Sequence, residues 1–369
     1  MGRTVALVTV MSGTGRKTRL LLYGAYGYTG RLAAELAVAR KLEIILAGRN
    51  KAALTKLGGQ LGLPTRVVEL EDSTQLAEAL KDIACVIHMA GSFAVTSAPM
   101  LDACLATQTN YIDITGEIEV FEEMWLRREE IRRAGITAVP GAGFDVVPSD
   151  CVAAHVAGKL EQTTSLIIAL RGLRSASQGT LRTAIRQISK PALCRRAGKI
   201  IPLDDPAPRW MDFGSGPKPF VPVSWGDVAT AFHSTAAGNI TVYFHRTKLL
   251  RSANVLGKLF GPLLRSGIGQ KGLAAMVRHF PEGPNQTERS RHRVTIEAEA
   301  IDASGNSFKA SLSTPDPYDF TANSSLEIAS RISLLSAPLG LVTPSQAFGP
   351  DFVLSLPGCS RQDIPASRR

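Results

Sequence analysis

The sequence predicts an α/β fold, a doubly wound parallel sheet followed by a second, α+β domain. Three observations carry this expectation. Apolar runs of strand length alternate with Ala- and Leu-rich helical stretches through residues 19–140. The first run breaks into a glycine-rich turn at the head of the first helix. The alternation stops after "GAGFD" at 141–145, where strand-like and irregular segments take over. Alternating strands and helices are the pattern of a parallel sheet covered on both faces.

Bulk properties set the limits. A chain of 369 residues with 44% hydrophobic content is an ordinary globular chain, long enough for two domains. A formal charge of +10 suits an anionic ligand, a membrane surface or nucleic acid; nucleic acid is not expected here. The five cysteines are scattered, and no two form a C-x-x-C pair. That speaks against a disulfide framework and a zinc site, and points to a reducing, cytoplasmic compartment. No uncharged apolar run reaches the roughly 20 residues of a spanning helix. Residues 1–18 read as an N-terminal extension. The apolar stretch in "MGRTVALVTV" is short, and no A-x-A-like cleavage site follows it, as a signal peptide would need. "GTGRKT" lacks the glycine that a phosphate-binding P-loop has before Lys17.

Residues 19–24, "RLLLYG", read as a buried strand. Gly24, Gly27 and Gly30 follow in a G-x-x-G-x-x-G turn, and residues 28–41 read as a helix. Strand, glycine turn and helix aim backbone N–H groups at a pyrophosphate, the Rossmann-type arrangement. Gly24, Tyr26, Gly27, Tyr28, Thr29 and Gly30 are therefore candidate cofactor-binding residues. Residues 43–50 form a second strand. It ends roughly 20 residues past the last glycine, where an acidic residue would bind the ribose of NAD. Arg49, Asn50 and Lys51 stand there instead. Arginine at this point suits a 2′-phosphate, so NADP(H) is expected over NAD(H). The competing reading is a tight turn with a surface arginine.

The rhythm continues with a strand at 65–70 and a helix at 73–81 capped by Ser73. A strand at 84–91, a helix at 97–108, a strand at 111–115, a helix at 119–135 and a strand at 136–140 follow. Ligands in such sheets lie at the carboxyl ends of strands. That places Ala90, Gly91, Ser92 and Phe93 near the nicotinamide, together with "DITGE" at 113–117 and "GAGFD" at 141–145.

"GAYGYTGRLAAELA", "LAGRN", "HMAGSFAVTSAPMLDACLATQTNYIDITGE" and "PGAGFDVVPSDCVA" together resemble the saccharopine dehydrogenase-like oxidoreductases. The nearest branch is the bacterial saccharopine dehydrogenase-like or trans-acting enoyl reductase group. The resemblance is dense over residues 19–154 and thinner beyond. It implies an NADP-binding Rossmann domain, a second domain that covers it, and a last helix that returns to the first. The family usually has G-P-F or G-P-Y where this chain has Gly91, Ser92 and Phe93, which bears on the shape of that loop. Substrates in the family range from amino acids to polyketide or lipid chains, so fold and cofactor transfer but substrate does not. The expected domains are 19–145 for NADP, 146–320 for substrate, and 321–369 as a C-terminal helix and tail packing back on the first.

Two features mark the second half. Arg171, Arg174, Arg182, Arg186, Arg195 and Arg196 could receive a carboxylate or a carrier phosphate, or form a solvated basic face. Residues 248–280 mix Leu, Val, Phe and Met with Lys and Arg, and no Asp or Glu occurs between Asp227 and Glu282. This reads as a lid over an acyl chain, a peripheral membrane contact, or helices on the domain's own core.

A short-chain dehydrogenase of the Tyr–Lys type is excluded, because none of the six tyrosines has Lys four residues on. No H-E-x-x-H or G-x-S-x-G occurs, and no metal is expected. Hydride transfer remains, with Asp145, Tyr111 and Asp113 as candidate catalytic residues and Glu117 beside them. Asp113 could instead hold its loop, and Asp145 could be a hinge contact. His155 reads as packing on its helix. The expected function is NADP(H)-dependent reduction of an activated double bond in a small-molecule or acyl-chain substrate. Alternatives are an imine or amino-acid reductase, a non-catalytic NADP sensor, and a lipid-surface protein. A homodimer is an open expectation.

Overall fold

The structure is a computed structural model that describes residues 17–174, 176–181, 190–203, 207–212, 216–246, 269, 272, 276–277, 279–334 and 337–364. Nearly all of the expected N-terminal extension, most of the basic apolar segment 248–280, and Arg182 and Arg186 lie outside the described residues.

The first domain runs β1 (Arg19–Tyr23), α1 (Tyr28–Ala39), β2 (Ile44–Gly48), α2 (Lys51–Leu61), β3 (Thr65–Val67), α3 (Ser73–Leu80) and β4 (Ile83–His88). It continues α4 (Phe93–Thr107), β5 (Asn110–Asp113), α5 (Ile118–Leu126), α6 (Arg128–Arg133) and β6 (Thr137–Val139). The strands pair in parallel in the order β3-β2-β1-β4-β5-β6. The order reverses between β1 and β4, which opens a crevice at their carboxyl ends. β2 and β4 are buried throughout because helices cover both faces. Side-chain alternation splits β1 and β2 between two cores. Leu20, Leu22, Ile44 and Leu46 enter one, and Leu21, Tyr23, Ile45 and Ala47 the other.

Four details differ from the expectation. Helix α2 is not among the expected elements, which leave 51–64 unassigned. Gly58 sits in the helix so close to Thr65 Cγ2 and Leu63 O that a Cβ would overlap both. Asp72, not Ser73, caps α3, accepting from Gln75 N at 2.9 Å. Helix α4 starts at Phe93 and carries Pro99 inside it, where a proline would ordinarily mark a start. The single helix expected at 119–135 breaks at Arg127, whose guanidinium pairs with Asp102 and Glu130, each at 2.7 Å.

The second domain opens with α7 (Val147–Ala157), then β7 (Ser165–Arg171), β8 (Leu193–Arg196), β9 (Lys199–Pro202), β10 (Arg209–Asp212) and β11 (Pro217–Pro222). Next come α8 (Asp227–Thr235), β12 (Asn239–His245), α9 (Gln286–Arg291), β13 (Val294–Ile301) and β14 (Ser307–Thr314). The chain closes with α10 (Pro317–Ser333), β15 (Gly340–Leu341), α11 (Pro344–Phe348) and β16 (Ser360–Ile364). The second sheet is mixed, in the order β10-β11-β12-β7-β13-β14-β16, with β7 and β12 parallel and β8 and β9 off its side. α7 joins the domains: Val147, Cys151, Val152 and Val156 share a core with β1 and with β7 and β13.

The C-terminal segment divides between the sheets, a correction to the tail expected to pack wholly on the first domain. α10 lies on α1, β4 and β5, with Arg40 bonded to Asn323 at 2.6 Å. β15 extends the first sheet beside β6. β16 instead pairs with β14, where a free edge of the second sheet accepts it, and His155 of α7 meets Asp363 at 2.7 Å.

Candidate functional site: a glycine turn and the carboxyl ends of six strands

The three glycines do different work. Gly24 has φ +84°, and a Cβ there would lie 2.8 Å from Ala90 N, so β1 and β4 approach only with glycine between them. A Cβ on Gly30 would overlap Gly24 O and Ala25, so α1 starts tight on the strand. Gly27 is exposed, and a Cβ there would meet only Gly24 O, at 3.3 Å. Two glycines pack the turn and the middle one leaves it open. No side chain caps α1 at Gly27, so its first N–H groups suit an anion. This open, uncapped turn fits a dinucleotide pyrophosphate.

Tyr26 folds back over Gly48 at the end of β2, where a Cβ would lie 2.7 Å from its ring. Arg49 is the next residue and is exposed, as is Lys51 at the head of α2. Asn50 is used differently from the expectation: its Oδ1 caps α2, accepting from Ala53 N at 3.0 Å. Thr29 is half-buried in the first turn of α1. The Tyr28 side chain turns away to the second domain, where its hydroxyl donates to the carbonyl of Pro284.

Ala90, Gly91, Ser92 and Phe93 form the β4–α4 connection beside Gly24, and the Gly91–Ser92 peptide is cis. The Phe93 ring is not offered to a ligand. It is buried edge-on to His88, with centroids 5.4 Å apart. The loop is fixed by Glu117, whose carboxylate accepts from Phe93 N at 3.0 Å and Ala94 N at 3.1 Å. An acidic group at a helix N-terminus satisfies its unpaired donors and its dipole. Sequence carries no sign of this cap, because the residues lie on different elements.

Tyr111 and Asp113 do come together, in the interior. Both are fully buried. Asp113 accepts from the Tyr111 hydroxyl at 2.6 Å, Gly141 N at 2.9 Å and Thr115 N at 3.0 Å. It ties the end of β5 to the loop after β6. Burial pushes its carboxyl up to about 6 against these donors. The expectation of direct catalysis by Tyr111 and Asp113 is corrected here: neither reaches a surface on which a substrate could lie.

Asp145 is placed differently. It follows β6, remains partly open, and lies so close to Gly116 that a Cβ there would stand 2.6 Å from its Oδ2. Burial pushes its carboxyl up to about 7. Asp227 and Asp150, at the heads of α8 and α7, are fully buried, and burial raises both carboxyls. The charges of Asp150 and Asp145 add to the rise at Asp227. The carboxyl ends of β1, β4, β5 and β6 thus carry an open glycine turn and a carboxyl that burial pushes up to about 7.

Two arginines of the cluster, Arg195 and Arg196, are engaged within the fold. Arg195 is buried and fully engaged, with Glu122 at 2.9 Å, Val228 O at 2.9 Å and Gly198 O at 2.7 Å. Arg196 bonds Thr241 at 2.9 Å. Among the described residues, no helix is long and apolar enough to cross a membrane.

Comparison with known proteins agrees with this geometry. Residues 20–139 match the family model of the saccharopine dehydrogenase NADP binding domain. The chain is 24% identical to the trans-acting enoyl reductase of Mycobacterium ulcerans, over 94% of this chain and 97% of that one. It is 26% identical to the saccharopine dehydrogenase-like oxidoreductase of Bos taurus, over 46% of this chain and 44% of that one. In fold it is similar to saccharopine dehydrogenase (L-Glu forming) from Saccharomyces cerevisiae, with a TM-score of 0.64 over 94% of this chain and 100% of that one, at 13% identity. Residues 20–139 belong to the saccharopine dehydrogenase NADP-binding domain family, and the chain is an oxidoreductase whose nucleotide domain takes NADP(H).

Proposed function

We infer that the protein reduces an activated carbon–carbon double bond in an acyl chain, with NADPH as the electron donor. The observation that carries the reading is the place of Asp145, a partly exposed carboxyl packed beside Gly116 in the loop after β6, at the strand ends where the nicotinamide half of a dinucleotide belongs; burial raises its proton affinity. Bound NADPH supplies a hydride; the protein supplies the rest. The Gly24–Gly30 turn holds the pyrophosphate and Arg49 the 2′-phosphate. Asp145 holds at its carboxyl the proton that the reduced carbon takes up. Asp113 and Glu117 keep the loops around it in place through the backbone bonds described above. The acyl substrate is favoured by the near full-length similarity to trans-acting enoyl reductases and by the acid-free run of Leu, Val and Phe among Lys and Arg at 248–280.

The test is NADPH oxidation with an enoyl thioester and, in parallel, with an imine formed from an amino acid and a keto acid. Turnover of the thioester alone supports the reading. Turnover of the imine alone would replace it with amino-acid chemistry.

A further inference from the structure

Tyr28 stands one residue past Gly27, at the first position of α1, and its side chain is gripped from the second domain. Its hydroxyl donates to the Pro284 carbonyl and accepts from Arg289 Nη1 at 3.0 Å. Its ring meets Tyr318 edge-on, 5.0 Å between centroids, and lies so close over Gly283 that a Cβ there would overlap it. Arg289 is held in turn by Asp319 at 2.7 Å and by the Pro284 carbonyl at 3.1 Å. Arg31, in the same turn of α1, pairs with Glu282 at 2.6 Å. α9 is itself fixed at its start, where Asn285 and Glu288 form a capping box.

The first turn of α1 has few local restraints. Gly27 is its N-cap, Gly30 lies within it, and no side chain caps it. Glycine is the residue whose backbone is most costly to hold in a helix after proline. The amides that suit a pyrophosphate therefore depend on whatever holds the turn from outside. On one side Gly30 rests on the strand, and on the other Tyr28 is anchored to residues 283–289 and to α10.

We propose that Tyr28 and Arg289 are positioning residues for the nucleotide. The pair aligns the first turn of α1 and so sets NADPH affinity and release, although neither side chain has to touch the nucleotide. By linkage, bound NADPH tightens the hold of residues 282–289 on α1 by the same factor. The proposal rests on nucleotide binding and is independent of which acceptor is reduced.

The experiment is a fluorescence titration with NADPH of the full chain, of Tyr28→Phe, of Arg289→Gln and of the double variant. Amide exchange of the nucleotide-free proteins is measured beside it. Each single variant is expected to weaken NADPH about 5- to 10-fold, and the double variant no more than the weaker-binding single, because both remove one coupled contact. Amides at 28–31 should exchange faster while those of β4 and β5 do not change. Affinities within about twofold of wild type, losses that add in the double variant, or exchange that rises equally throughout would each overturn the proposal. Should Tyr28→Phe fold poorly, Arg289→Gln is compared with Arg289→Lys, which retains a donor for Tyr28. Partial recovery by lysine supports the latch, and equal losses refute it. A wild-type protein that binds no NADPH would remove the premise altogether.

Discussion

The Tyr111 hydroxyl donates to Asp113 at 2.6 Å, and neither side chain has surface open to solvent. Asp113 meanwhile holds Gly141 N and Thr115 N. The pair joins two strand ends from within, so its loss should be felt in stability. Tyr111→Phe removes one donor from a buried carboxyl and is expected to cost about 1–3 kcal/mol. Denaturant unfolding would measure that loss. kcat should stay within about threefold of wild type, since an interaction absent from the reacting centre leaves the barrier unchanged. A drop in kcat of about 100-fold or more would return Tyr111 to the catalytic group.

Asp145 should behave in the opposite way. Its carboxyl is pushed up to about 7 by burial, so it is protonated below that pH and charged above it. A proton donor is active in the protonated form, and kcat should fall as pH rises through about 7. Asp145→Asn should lower kcat by about 10²- to 10⁴-fold and abolish that limb of the pH profile. An unchanged profile in the variant would assign the proton to another source.

Arg49 is exposed at the end of β2 and should act on the 2′-phosphate alone. Arg49→Ala is expected to weaken NADPH by about 10- to 100-fold, the scale of a charge-assisted hydrogen bond, and to leave NADH nearly unchanged. Parallel titrations with the two nucleotides decide it; equal losses for both would mean that Arg49 acts on the fold of the turn.

Glu117 closes α4 through two backbone bonds while being buried. Glu117→Ala leaves two N–H groups without a partner and should cost about 1–3 kcal/mol by denaturant unfolding. Glu117→Gln, which keeps one acceptor, should cost less.

His292 offers a pH test of stability. Its Nδ1 meets Asp316 Oδ2 at 2.7 Å, and its Nε2 faces the Gly172 carbonyl at 2.5 Å, so both nitrogens face acceptors. The hydrogen bond to Asp316 is the main reason that its proton affinity is raised. A raised folded-state pKa contributes stability that is fully present below the unfolded value of about 6.5 and is lost as pH rises through the folded one. The Tm difference between wild type and His292→Gln should therefore shrink from acid toward alkaline pH. A difference that is constant across that range would show a neutral imidazole.

Much of this molecule is legible in the chain because it depends on near neighbours. Six of the seven strands of the first sheet, the glycine turn and the helix after it follow from apolar runs and from spacing. The errors are equally local in cause. Gly58 and Gly59 hide α2, because a glycine pair ordinarily ends a helix; here the close approach of Thr65 requires one of them. The α4 start is hidden because Pro99 stands inside the helix rather than at its head.

The partners of polar side chains are another matter. Tyr28 and Phe93 lie where a nucleotide-binding turn and a strand end put them, yet Tyr28 bonds a carbonyl 256 residues away and Phe93 turns into the core. Arg195 looks like a ligand in a basic cluster and is instead consumed by Glu122 and two carbonyls.

By itself the sequence determined the fold class and the glycine turn between the first strand and helix, and it put a basic residue after the second strand and an acid in the loop after the sixth. These follow from periodicity and spacing, which act over a few residues. Only the tertiary structure decided which acids stay buried as braces and which keeps an open face. It also decided that the second domain grips α1 and that the tail divides between two sheets. A side chain's solvation and hydrogen-bond partners are set by elements far apart in the chain, and those distances close only when the chain is folded.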